Sequence, residues 1–317
     1  IEVKDLVKKY GSHLAVDHLS FTLESGKIYG FLGPNGAGKS TTMNIMTGYL
    51  GATQGSVLID GHDILKEPEE AKKHIGYLPE LPPLYMDMTV QEYLEFAAEL
   101  KKLPKEKRES DISEVMKLTR LQDVSGRLIK NLSKGYKQRV GLAQAILGFP
   151  EIIILDEPTV GLDPKQIIEI RELIRTLSKK HTVILSSHIL AEVREVCDYI
   201  LIISKGKLVA SDTPENLELL RNGASSLELE VKAAPETARA ILSTIDDINT
   251  MEMHIENENL TRVKLETKNG ADIREAVFYA FAEEKCPLLE MKTAKASLED
   301  IFMELTQKEE SNDAGNL

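Results

Sequence analysis

"FLGPNGAGKSTTMN", residues 31–44, decides how the rest of this chain is read. It sets three glycines, one lysine and three hydroxyl side chains in a single short run. Residues Gly33 to Ser40 satisfy the spacing G-x-x-x-x-G-K-[ST]. Glycines let backbone N–H groups turn inward around phosphate oxygens, and a helix that follows offers its positive end to the same anion. Lys39 would then reach the β- and γ-phosphates of a nucleotide, and Ser40 would ligate Mg²⁺. The flanks fit this requirement. "GKIYGFLG" is a continuously apolar strand that runs into the loop, and "KSTTMNIMTGYL" reads as the helix after it.

A second stretch narrows the chemistry. In "EIIILDEP" an apolar strand delivers Asp156 and Glu157 at its carboxyl end, where α/β folds place ligands. One acid can hold Mg²⁺ while its neighbour polarises a water as general base.

Composition bounds the remaining possibilities. The chain has 317 residues, 42% of them hydrophobic and 28% charged. That suits a globular protein of one large domain or two ordinary ones. No apolar run approaches the roughly 20 residues needed to cross a bilayer, so no transmembrane segment of its own is expected. Cys197 and Cys286 are far apart and form no disulfide framework, which fits a reducing compartment. The net charge of −12 argues against nucleic acid as a partner, because phosphate backbones are bound through Lys and Arg.

Along the chain, "IEVKDLVKKY", "LSFTL" and "GSVLIDG" read as strands. From about Thr89 to Lys130 the pattern turns helical, with "TVQEYLEFAAELKKL" and "DISEVMKLTRL" separated by the polar stretch "PKEKRESD". Helix "KQRVGLAQAILG", strand "EIIILDEP", helix "KQIIEIRELIRTLSKK", strand "TVILSSH", helix "LAEVREVC" and strand–turn–strand "YILIISKGKLV" follow. This alternation predicts an α/β domain with a mostly parallel sheet. At "RNGASS" the texture changes to small and polar, which places a boundary near Asn222. Beyond it the order strand, helix, strand, strand, helix, strand and a last helix "LEDIFMELT" is the ferredoxin-like α+β pattern. The expected organisation is therefore 1–221, with a helical part at about 87–145, then 222–306, then a disordered tail over 307–317.

With these residues on the page, the sequence over about Ile1 to Pro214 resembles the ATP-binding cassette of ABC proteins. "GPNGAGKST" resembles the Walker A loop, "IIILDEP" the Walker B strand, "LSKGYKQRV" the signature, "GLDP" the D-loop and "SSH" the switch histidine. The resemblance implies a P-loop NTPase fold with an antiparallel β-subdomain and a helical subdomain. It implies ATP and Mg²⁺ as cofactors. Gly33, Pro34, Asn35, Gly36, Ala37, Gly38, Lys39, Ser40 and Thr41 would cradle the phosphates, and Tyr10 would stack on adenine. Ser133, Gly135 and Asp163 would complete the site of a second subunit, so one Walker A loop and one signature per chain imply a homodimer or a heterodimer. Ser40, Asp156 and Glu80 would hold the metal. Glu157 would act as base, with His188 and Glu80 at the γ-phosphate.

Two departures from the family pattern stand out. Lys134 and Tyr136 replace a glycine and a glutamine in the signature, and Glu80 in "YLPE" replaces the usual Q-loop glutamine. Both variants, and the terminal "SLEDIFMEL", resemble cassettes of exporters with separate membrane subunits that handle drugs, antibiotics, sodium or polysaccharide. The resemblance thus implies an ATPase energising a membrane-spanning permease from the cytoplasmic face. The alternative is a soluble ABC ATPase acting on ribosomes or DNA. In "ELPPLYMDM", the apolar residues Leu81, Leu84 and Tyr85 would, if exposed, suit a groove for a partner helix; the alternative is that they close the core of the helical part.

Overall fold

A computed structural model describes residues 1–219, 226–257, 260–268, 271–294 and 302. Two compact units divide the chain, Ile1–Thr213 and Pro214–Leu317. The boundary expected near Asn222, the last helix apart from Phe302, and the tail over 307–317 lie outside the described residues.

The first unit opens with β1 (Glu2–Tyr10), β2 (His13–Thr22) and β3 (Ile28–Leu32). Next come α1 (Lys39–Met46), β4 (Gln54–Ile59), β5 (His62–Asp63), α2 (Pro68–Lys73) and β6 (Ile75–Leu78). The helical part holds α3 (Val90–Leu100), α4 (Lys105–Leu118) and α5 (Lys134–Ile146). The unit closes with β7 (Ile152–Leu155), α6 (Pro164–Ser178), β8 (Thr182–Ser187), α7 (Leu190–Val196), β9 (Tyr199–Ser204) and β10 (Lys207–Asp212).

Strand order β10-β9-β3-β8-β7-β6 forms one six-stranded sheet. Its five strands from β9 to β6 pair in parallel, and β10 joins antiparallel. A parallel sheet covered on both faces wants apolar side chains throughout. Strands β3, β7 and β8 are accordingly buried at every position. The register sets Leu78 opposite Leu155, Leu155 opposite Leu185 and Leu32 opposite Ser187, so the carboxyl ends of β6, β7, β8 and β3 align along one edge. A second sheet, β2-β1-β4-β5, is antiparallel.

Two glycines shape this unit, one at a close approach and one at a helix end. A Cβ on Gly30 of β3 would fall 2.4 Å from Val193 Cγ1 and 2.9 Å from Cys197 Sγ, so α7 packs directly on the bare strand. Helix α1 stops at Met46, short of the run to Leu50 expected from sequence, because Gly48 at φ +66° turns the chain out of the helix.

Helix α4 departs further from expectation. It starts at Lys105 and takes in most of the polar stretch that had separated two helices. Only Ile112 and Val115 of α4 are buried, so no apolar stripe announces its first turns, while Lys, Glu and Arg sustain them by propensity. Strand β6 and helix α2 escaped the sequence reading.

The second unit contains α8 (Pro214–Leu219), β11 (Ser226–Val231), α9 (Pro235–Leu242), β12 (Ile248–Asn257), β13 (Leu260–Thr267), α10 (Arg274–Glu283) and β14 (Leu288–Ala294). Its sheet order, β12-β13-β11-β14, with antiparallel pairing throughout, is the ferredoxin-like arrangement. Leu227, Leu229, Val263, Leu265, Val277 and Phe281 form its core. Cys197 in the first unit is buried, Cys286 in the second is half-buried, and both are free thiols.

Candidate active site

The loop after β3 folds back on its own lysine. Lys39 Nζ donates to Gly33 O at 2.7 Å and to Pro34 O at 3.2 Å. A Cβ on Gly33 would lie 2.3 Å from Ile203 O, and one on Gly38, at φ +101°, would lie 2.4 Å from Ala15 O. Backbone packs against backbone at both points, so neither position admits a side chain. Burial pushes the Lys39 ammonium below its ordinary value, while Glu157, Asp156 and Glu80 pull it back up. Three carboxylates thus act on one cation through space.

Those acids arrive from neighbouring strand ends. Ser40 Oγ donates to Asp156 Oδ1 at 3.2 Å, and Ser186 Oγ donates to the same oxygen at 2.5 Å. The Glu157 N–H donates to Ser186 Oγ at 2.9 Å. Glu157 itself adopts φ +48°, a left-handed conformation that costs a residue with a side chain about 1–3 kcal/mol. His188 Nδ1 stands 3.0 Å from Glu157 Oε2 and 3.1 Å from Oε1. Glu157 is buried; His188 is half-exposed.

A cavity of about 350 Å³ is lined by Tyr10, Asn35, Gly36, Ala37, Gly38, Lys39, Ser40, Thr41, Glu80, Glu157 and His188. Eleven of the residues singled out from sequence therefore meet around one space. Gly33 and Pro34 support it through Lys39, and Asp156 reaches it through Ser40. Tyr10 is 48% exposed, with Lys8 Nζ 5.3 Å from its ring centroid. His13 and Val160 also line the cavity and were missed. His13 follows the tight turn after Tyr10, and that turn was its only signal.

Ser133, Gly135 and Asp163 do not line this cavity. Ser133 caps α5, accepting from the Tyr136 N–H at 3.4 Å, and Asp163 caps α6, accepting from the Gln166 N–H at 2.9 Å. A Cβ on Gly135 would meet Gln166 Nε2 and Oε1 at 2.5 Å, so the signature helix α5 rests against α6. Lys134 lies across the D-loop, its Nζ 1.9 Å from where a Cβ on Gly161 would sit. Arg139 of α5 pairs with Glu169 of α6 and donates to Thr119 O at 3.1 Å.

A different cavity, about 840 Å³, is lined by Tyr49, Lys72, Glu80, Leu81, Pro83, Lys101 and other residues. Leu81 is 82% exposed. Tyr85 is exposed yet packs edge-on to Phe96 of α3 at 5.3 Å, and Leu84 is half-buried. Among the described residues, no helix is long and apolar enough to cross a membrane.

Together, a strand–loop–helix cradle, a buried lysine and two acids at the adjoining strand ends define a P-loop nucleoside triphosphatase. Comparison with known proteins gives the branch. A family profile described as ABC transporter matches residues 16–160. The uncharacterized ABC transporter ATP-binding protein YhcH of Bacillus subtilis is 37% identical over 309 residues, covering 96% of this chain and 95% of that protein. The bacitracin transport ATP-binding protein BcrA of Bacillus licheniformis is 35% identical over 307 residues, covering 96% of both. A dimeric ATP-binding cassette, MJ0796, solved in a post-hydrolysis state bound to ADP and Pi, aligns with a TM-score of 0.61 at 26% identity, over 67% of this chain and 97% of that one. The chain belongs to the ABC transporter family, as its ATP-binding and ATP-hydrolysing cassette. The same relatives favour transport over the alternative of ribosome- or DNA-directed activity.

Proposed function

We propose that this chain energises an exporter of drug- or antibiotic-like molecules, acting with a separate membrane-spanning permease at the cytoplasmic face of the membrane. The likeness to a bacitracin transport protein along nearly its whole length supports the cargo class. Two copies would clamp two ATP molecules, with Ser133, Gly135 and Asp163 of each completing the site of the other; their position outside the chain's own cavity supports this. The observation that carries hydrolysis is the Glu157–His188 pair at 3.0 Å, facing the same cavity as Lys39.

Within that cavity, Tyr10 would stack on the base and the loop N–H groups from Asn35 to Thr41 would hold phosphate oxygens. Glu157 would accept a proton from the attacking water while His188 orients it. Ser40, Asp156 and Glu80 suit Mg²⁺. The first two already place a hydroxyl and a carboxylate oxygen 3.2 Å apart, and an ion held by few protein oxygens plus substrate phosphates is typical of magnesium. The ion would neutralise charge on the phosphates. The larger cavity with Tyr49 and Leu81 on its walls supports the docking of a permease helix.

Glu157→Gln tests the core of this reading. It should lower ATP turnover by about a hundredfold or more while nucleotide still binds, and an ATP-dependent dimer should persist in size-exclusion chromatography. Turnover equal to the wild type would remove Glu157 from the base role.

A further inference from the structure

Glu192 is a buried carboxylate that none of the roles above uses. It sits at the third position of α7, one turn beyond His188, and is 7% exposed. Its Oε2 accepts from the Thr159 hydroxyl at 2.5 Å and from the Ser187 hydroxyl at 3.5 Å. Its Oε1 lies 4.0 Å from Nη2 of Arg171 on α6, and Arg171 also pairs with Glu195. Thr159 is two residues past Glu157, and Ser187 immediately precedes His188. A single carboxylate is therefore fastened to both segments that deliver the hydrolytic pair. Burying a carboxylate is costly unless it is well partnered, and an apolar side chain would serve packing alone better at this position.

The strain at Glu157 gives the brace a purpose. A left-handed backbone at φ +48° persists only where its surroundings hold it. The Ser186 Oγ contact to the Glu157 N–H secures that residue from β8. The Thr159–Glu192 bond secures the outgoing segment from α7.

We propose that Glu192 is a positioning residue for the hydrolytic step: through Thr159 and Ser187 it fixes the spacing of Glu157 and His188, and through Arg171 it ties that spacing to α6, the helix that begins at the D-loop. It does not line the cavity that holds Lys39 and Glu157. This rests on the ATPase reading above, with Glu157 as base.

The test uses the full chain with Mg²⁺ and ATP, measuring kcat, KM and nucleotide affinity. Thr159→Val and Glu192→Gln should each lower kcat about tenfold or more, with KM and affinity within about twofold, because the phosphate loop is not contacted. Thr159→Ser, which keeps the hydroxyl, should restore kcat. The double variant should be no worse than the poorer single one, since Glu192→Gln weakens and Thr159→Val removes the same contact. Four outcomes would overturn the proposal: an unchanged kcat in Thr159→Val, a raised KM with kcat intact, losses that add in the double variant, or Thr159→Ser as slow as Thr159→Val. If Glu192→Gln fails to fold, the Thr159 pair still decides. Glu157→Gln separates the two levels. Wild-type turnover there sinks the base assignment and the proposal with it. An inactive Glu157→Gln beside a fully active Thr159→Val sinks the positioning role alone.

Discussion

Strand β7 of the first unit is buried at each of its four positions, whereas β13 of the second alternates, with Thr261, Val263, Leu265 and Thr267 buried and the residues between them more open. The difference decides where polar chemistry can go. A parallel sheet covered on both faces leaves only its strand ends for polar groups, so the phosphate loop, Asp156, Glu157 and His188 converge on one edge. An antiparallel sheet with one covered face spreads its charges over the other. There they pair across strands, Glu228 with Lys292 at 3.5 Å and Glu230 with Arg262 at 3.1 Å, rather than gathering at strand ends.

The sharpest way to break this contrast is to remove one cation from each unit. Lys39→Ala should weaken nucleotide binding by about a hundredfold, the loss expected for charge-assisted phosphate contacts, with Arg262→Ala within about twofold of the wild type in the same titration. Equal losses would mean that nucleotide binding is not confined to the first unit.

Next in size is a core lesion in the second unit. Phe281 is 1% exposed, and Phe281→Ala should cost that unit about 3–5 kcal/mol in denaturant unfolding. ATP affinity, measured below the transition, should not move; a matching fall in affinity would tie the site to the second unit.

Helix starts sharpen the contrast at a smaller scale. In the first unit, α3 and α6 begin on capping boxes at Thr89 and Asp163, whereas α9 and α10 of the second begin at Ala234 and Ile273 with no side-chain cap. Thr89→Ala should therefore lose about 1 kcal/mol, and Ala234→Ser, on a backbone already extended at φ −69° and ψ 152°, should gain up to about 1 kcal/mol. Unfolding curves of the two variants should shift in opposite directions.

The smallest effect depends on pH. Asp272 accepts from the Arg274 guanidinium at 2.7 and 2.8 Å, which holds its carboxyl down at about 2. A carboxylate whose folded value is depressed contributes stability that is present above its unfolded value of 3.8 and is lost as pH falls through about 2. Asp272→Asn should thus destabilise the second unit slightly at pH 5, and the difference from wild type should vanish near pH 2.

Much of this was legible in the sequence wherever the signal is local. The loop spacing from Gly33 to Ser40 and the acids after Ile152–Leu155 depend only on neighbours, as does the strand–helix alternation of both units. The pairing of β1 with β4 depends on contacts some fifty residues apart, which period and composition do not carry. The first turns of α4 were missed because an exposed helix has no stripe. Edge strand β6 is only four residues long, too short for alternation to stand out. Ser186 and Glu192 were illegible for another reason. Each matters only because the register brings β7, β8 and α7 together, and that is a property of the assembled sheet.

The two thiols sit one in each unit. Burial beside Gly30 pushes the Cys197 thiol well above its ordinary value, so the native first unit withholds it from alkylation. Cys286 is half-buried in the second unit. A thiol-reactive dye added to the unaltered chain therefore reads two clocks: a slow one that advances only when the first unit opens around α7, and a separate one for the second unit. The ratio of the two labelling rates, with and without nucleotide, reports which half of the molecule a ligand tightens, with no introduced cysteine.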